Sequence, residues 1–111
     1  MSAHFAPGTM VVVYLGAPRE KIWGVLRTLD GMGITIEGID LRSFDECLRG
    51  VAAKEIHPAD ISLAFFPIGR VEKILVDRGS DDVPSMEEQF TSRVGVGLAQ
   101  FLARGEPKRR S

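Results

Sequence analysis

Residues 10–41, MVVVYLGAPREKIWGVLRTLDGMGITIEGIDL, decide how this chain folds. Val11, Val12, Val13, Tyr14 and Leu15 form an apolar, β-branched run of strand length. Gly16-Ala17-Pro18 breaks the run, and Arg19 and Glu20 complete an exposed turn. A second strand is expected from Lys21 to Leu29, with Gly24 at its middle marking a sharp bend or a close backbone approach. Asp30-Gly31 is a short hairpin signal, because both residues tolerate positive φ. In the third strand Ile34 and Ile36 share a face, but beyond Gly38 the apolar pair becomes Ile39 and Leu41. A one-residue change of phase at a glycine predicts a β-bulge there.

Before this stretch, residues 1–9 have no periodicity and read as a loose lead-in. After it a helix is expected. Ser43 and Glu46 have capping-box spacing, and Phe44, Cys47, Leu48, Val51 and Ala52 recur as one apolar stripe. Gly50 weakens that helix, and His57-Pro58 lies past its end.

A second strand-rich block, ISLAFFPIGRVEKILVD, occupies residues 61–77. Ile61, Leu63 and Phe65 alternate as a fourth strand, Pro67 and Gly69 make a kink, and Val71 to Val76 form a fifth. A polar loop follows, then a second capping box in Ser85 and Glu88, with Met86, Phe90 and Val94 on one helix face. Gly95 and Gly97 stop this helix and let a shorter one begin with Leu98, Phe101 and Leu102. The terminal EPKRRS is polar and reads as frayed.

The 111 residues therefore read as one domain, mainly β with α. Five strands over about residues 10–77 make a small bent barrel core, with a helix inserted between strands three and four. A helical tail spans about 84–103. Hydrophobic residues at 44% and charged residues at 26% are those of an ordinary soluble protein. The formal charge of −1 excludes a basic footprint over the whole molecule, so nucleic-acid binding would need a local patch. With Cys47 as the single cysteine, an intrachain disulfide and a cysteine-based metal cluster are both excluded. No apolar run has the length of a membrane span and the N-terminus lacks a secretory pattern, so a cytoplasmic protein is expected.

Chemistry-bearing residues are few. His4 and His57 are the only histidines, and neither stands in a nucleophile–base pattern; Cys47 reads as a small core residue on its helix. No catalytic, cofactor or metal residues are assigned. Asp40, Asp45 and Glu46 gather near the strand-to-helix corner, where they would serve an acid–base or metal site or, more simply, complement the helix dipole. Gly31-x-Gly33 and Gly95-x-Gly97 lack the full phosphate-loop patterns and are explained as turn and helix-break glycines. The one candidate binding surface is aromatic and basic. Trp23 would be its stacking platform and Arg19, Lys21, Arg27, Arg70 and Lys73 its charge, unless Trp23 fills the barrel interior. The basic tail Lys108-Arg109-Arg110 adds charge that a solvated end also explains.

The segment Gly24-x-Leu26-x-x-Leu29-Asp30 resembles the G-x-L-x-x-F-D core of the first motif of the Sm-like family, with Ile34 and Ile36 near the apolar pair that follows it. Those proteins are bent five-stranded barrels, related in shape to SH3-like barrels, that assemble into rings and bind RNA. The likeness covers about residues 10–41 and, more loosely, 61–77. Gly33 stands where the family presents a base-reading Asn, and Ile68-Gly69-Arg70 reverses the Arg-Gly order expected before the last strand. The resemblance therefore implies the fold more than the RNA pocket. Short bacterial proteins with PREKxWG, GIDLxSFD and FFPxxRVEK segments are also similar, over Pro18 to Gly24, Gly38 to Asp45 and Phe65 to Lys73, and imply no activity.

The expectation that follows is a non-enzymatic barrel that acts by binding and self-associates through its edge strands into a homo-oligomer. An RNA-binding protein is the first alternative. A small enzyme or ligand-binding barrel using the Asp40, Asp45 and Glu46 corner is the second.

Overall fold

The computed structural model describes residues 5–49 and 61–105, with the backbone alone for 47–49 and 104–105. Expectations about His4, Gly50, Val51, Ala52, His57-Pro58 and Lys108-Arg109-Arg110, and about the side chains of Cys47 and Leu48, lie outside the described residues.

Strands β1 (Met10–Leu15), β2 (Glu20–Leu29) and β3 (Gly33–Asp40) run in succession, and helix α1 (Leu41–Arg49) follows directly. Then come β4 (Ser62–Pro67), a 3₁₀ turn (Ile68–Arg70), β5 (Val71–Val76), α2 (Met86–Val94) and α3 (Leu98–Gly105). The strands form one antiparallel sheet in the order β4-β3-β2-β1-β5. The domain is thus mixed β and α, with the first helix inserted between β3 and β4 and two at the C-terminal end.

Two separate cores use the two faces of this sheet. Val12, Trp23, Val25 and Ile39 face the helices and pack with Phe44 of α1, Phe90 of α2 and Leu98, Phe101 and Leu102 of α3. Trp23 is central to this cluster, 4.9 Å from Phe44 and 5.4 Å from Phe90 between ring centroids. The neighbouring residues Val11, Val13 and Leu15 point the other way, into a cluster with Ile22, Leu26, Ile34 and Ile36. Phe5, Leu29, Phe66, Val71 and Ile74 border that second cluster, and none of α1, α2 and α3 contributes to it among the described residues. All of its β1 members are fully buried nonetheless. Among the described residues that face is covered by the strands themselves and by Phe5, which calls for a bent sheet.

Gly24 makes the curl sterically feasible. It pairs with Gly38 across β2 and β3, and a Cβ on Gly24 would strike the Glu37 carbonyl while one on Gly38 would strike that of Trp23. The expected close approach is present, then, and Gly38 is its other half. The expected bulge at Gly38 is not. Pairing runs without a break from Ile22↔Asp40 to Leu26↔Ile36, and the register shift falls instead on β2 between Leu26 and Thr28. The apolar phase changes at Gly38 because both faces are covered there: Ile36 faces the strand-only core and Ile39 the helices.

Three other expectations are corrected in the same way. The Asp30 hairpin needs no positive φ at Asp30 or Gly31. The Asp30 carboxylate instead accepts from the amides of Met32 at 2.8 Å and Gly33 at 3.3 Å, which closes a longer loop. Residues 5–9 are docked rather than loose: the Gly8 amide donates to the Leu26 carbonyl at 2.7 Å, and Leu26 donates back to Thr9 at 2.8 Å. Helix α1 starts at Leu41 rather than after Ser43, because the Asp40 carboxylate accepts from the Ser43 amide at 3.0 Å and so acts as the N-cap. The Ser85–Glu88 capping box forms as expected, and Gly95, at φ 102°, ends α2.

Candidate functional site

Between β1 and β2 the chain turns through Gly16, Ala17, Pro18 and Arg19, and Arg70, just ahead of the neighbouring strand β5, holds this turn. Its Nε donates to the Gly16 carbonyl at 2.9 Å and its Nη2 to that of Pro18 at 2.7 Å. The Gly16 amide in turn donates to the Arg70 carbonyl at 2.8 Å. The same guanidinium lies 3.5 Å from the Glu20 carboxylate. Arg70, expected in a binding surface, is committed to fastening the 3₁₀ turn to the β1–β2 turn.

That fastening fixes one wall of an open cleft of about 560 Å3, lined by Arg19, Glu20, Lys21, Asp40, Leu41, Arg42 and Ser43. Strand pairing explains the convergence, since antiparallel β2 and β3 bring Ile22 opposite Asp40 and so set Glu20 and Lys21 beside the start of α1. Three cations, Arg19, Lys21 and Arg42, line this cleft, and all are exposed. Neither Arg19 nor Arg42 has an ion-pair partner among the described residues. Of the two carboxylates, Glu20 faces Arg70, and Asp40 is bound through both oxygens to Ser43, at 3.0 Å to the amide and 3.1 Å to the hydroxyl.

Beside it lies a narrower pocket of about 190 Å3, which shares Glu20, Asp40 and Ser43 with the cleft. Ile22, Ile36, Ala64 and Phe66 give it apolar walls. Asp45 and Glu46 are exposed and line neither cavity. Among the described residues no three of His, Cys, Asp and Glu gather where they could hold a metal ion. The acidic corner is thus divided, with Asp40 serving α1 and the other two carboxylates facing solvent.

The rest of the expected basic and aromatic surface is dispersed. Trp23 is completely buried, and its Nε1 donates to the Asp77 carboxylate at 3.0 Å. A ring enclosed on both faces offers no platform for a base, which corrects its place in the binding surface. Arg27 is paired with Glu37, its Nε at 2.9 Å and its Nη2 at 2.6 Å from the same oxygen. Lys73 lies elsewhere, on β5. Its ammonium is 4.6 Å from the Tyr14 ring centroid, and that of Lys21 is 5.0 Å away, because register aligns Lys21, Tyr14 and Lys73 across three strands. Only Arg19 and Lys21 of the six residues line the cleft.

Two residues of this region carry no sequence signal of their own. Arg42 joins the cleft through the direct passage from β3 into α1, and Tyr14 meets two lysines only once the strand register is known. Gly33 starts β3 and is buried, and a Cβ there would strike the Phe66 carbonyl, so no side chain fits at that position. No helix among the described residues is long and apolar enough to cross a membrane. Comparison of the chain with family models, curated proteins and solved structures gives no match.

Proposed function

We propose that this chain is a small Sm-like, SH3-like β-barrel module that acts by binding rather than catalysis and assembles with copies of itself. The strand order, the 3₁₀ turn between β4 and β5, and the curled strand-only core support the barrel reading. One observation carries the assembly reading. Strand β4 is an outer edge of the sheet, and it exposes Leu63 at 64% and Phe65 at 54%.

An edge strand has a free row of amides and carbonyls, and large apolar side chains beside such a row favour strand pairing between molecules. The opposite edge, β5, has no further strand beside it among the described residues and exposes Leu75 at 43%. Pairing β4 of one copy with β5 of the next satisfies both edges and is a head-to-tail contact, which closes into a ring when the rotation allows. Light scattering on a sizing column tests this. A mass of several protomers is expected, reduced to one protomer by Leu63→Glu together with Phe65→Glu; a wild-type monomer at high micromolar concentration sinks the proposal.

The second reading, an RNA-binding protein, is favoured by the Lys21–Tyr14–Lys73 row, where two ammonium groups flank a half-buried ring. It predicts salt-sensitive retention of U or A oligomers. Absence of retention at low salt removes it.

A further inference from the structure

The geometry points to the Arg19–Lys21–Arg42 cleft as a binding site for a phosphate-bearing small molecule. This inference does not depend on self-association, because the cleft belongs to one copy of the chain.

Three features favour a phosphoryl group. The first is charge. Three cations from two elements and a turn line one concavity in a chain whose formal charge is −1, and among the described residues neither arginine has a carboxylate partner. Like charges on neighbouring side chains repel, so gathering them around a void favours an anion there. The second is the state of the local acids. Glu20 faces the guanidinium of Arg70 and Asp40 is engaged by Ser43, which leaves Arg19 and Arg42 without a carboxylate among the described residues, while the Lys21 ammonium lies at the cleft edge, 5.0 Å from the Tyr14 ring centroid. The Ser43 amide is already bonded to Asp40, so the attraction comes from side chains and not from an open helix end.

The third feature is size and donor type. A cleft of about 560 Å3 is in the range of small-molecule sites. Arginine presents planar, paired donors that match phosphate oxygens, and a lysine beside two arginines suits a dianion better than a single carboxylate. Fixing of the Arg19 wall by Arg70 lowers the ordering cost of binding.

Titration with sodium pyrophosphate at low ionic strength, followed by amide NMR, tests the site. Saturable shifts are expected at residues 19–21 and 40–43, with little response at the exposed Arg78. Arg19→Ala and Arg42→Ala, both on exposed side chains, should each weaken binding about tenfold, the ratio that follows from losing one charge-assisted hydrogen bond. Their unfolding temperatures should match wild type, and Arg78→Ala should bind as wild type does. Three results would overturn the assignment: no saturable shift at millimolar pyrophosphate, equal loss of binding in the Arg78 variant, or tighter binding of a U oligomer that the cleft variants leave unchanged.

Discussion

Trp23 donates its indole N–H to Asp77 at 3.0 Å, and the same carboxylate accepts from the amides of Met86 and Glu87, each at 2.9 Å. One side chain at the end of β5 thereby supplies a partner for the central core tryptophan and for the first two residues of α2. The charge also suits its place, since a carboxylate beside a helix N-terminus is attracted by the helix dipole.

Asp77→Ala should therefore cost more than an ordinary substitution at the end of a strand. It strands an indole donor in the core and two helix amides at once, and a loss of about 3 kcal/mol is expected. Denaturant unfolding followed by Trp23 fluorescence measures it. Asp77→Asn retains an acceptor oxygen and should recover part of the loss.

Gly24→Ala should destabilise the fold by about 3 kcal/mol, because a methyl group there meets the backbone of β3 rather than a side chain that can turn away. Gly31→Ala is the control, with open space around it and no positive φ. Comparison of their thermal midpoints tests the point, and equal behaviour of the two would show that β2 and β3 are not so closely apposed.

Replacing Arg70 with Ala removes the clamp on the β1–β2 turn. A loss of about 1–2 kcal/mol is expected from its carbonyl bonds. Hydrogen exchange should quicken at residues 16–20 while the Trp23 core stays protected, since that core makes no use of Arg70.

Asp40→Ala should cost about 1 kcal/mol, the usual loss on removing an N-cap. Ser43→Ala keeps the bond from its own amide to Asp40 and should cost less than half as much. Were Ser43 the cap instead, the order of the two melting temperatures would reverse.

Sequence reading located the strands and helices well, for a physical reason. Alternation along Ile34 and Ile36, the β-branched run at Val11–Val13 and the Ser85–Glu88 box are local signals whose meaning does not depend on distant residues. The failures at Trp23 and the cleft were non-local, whereas the Asp30 loop and the Asp40 cap turned on contacts two or three residues away. Asp40 captured the start of α1 from Ser43 because β3 runs straight into the helix, and no spacing rule registers that continuity. Trp23 read as either platform or core, and only the helices packed against it decide between them. The cleft was half legible: Arg19 and Lys21 are neighbours in sequence, whereas Arg42 reaches them through the β2–β3 register.

The alternation of Val11, Val12 and Val13 between two cores has a consequence for how this chain can change. Substitutions on the helix-facing side loosen the seat of Trp23 and of the helices together, while those facing the other way perturb the strand-lined chassis. Each residue of β1 thus answers to one of two packing problems, and a slip of a single residue along that strand would exchange every valine between them.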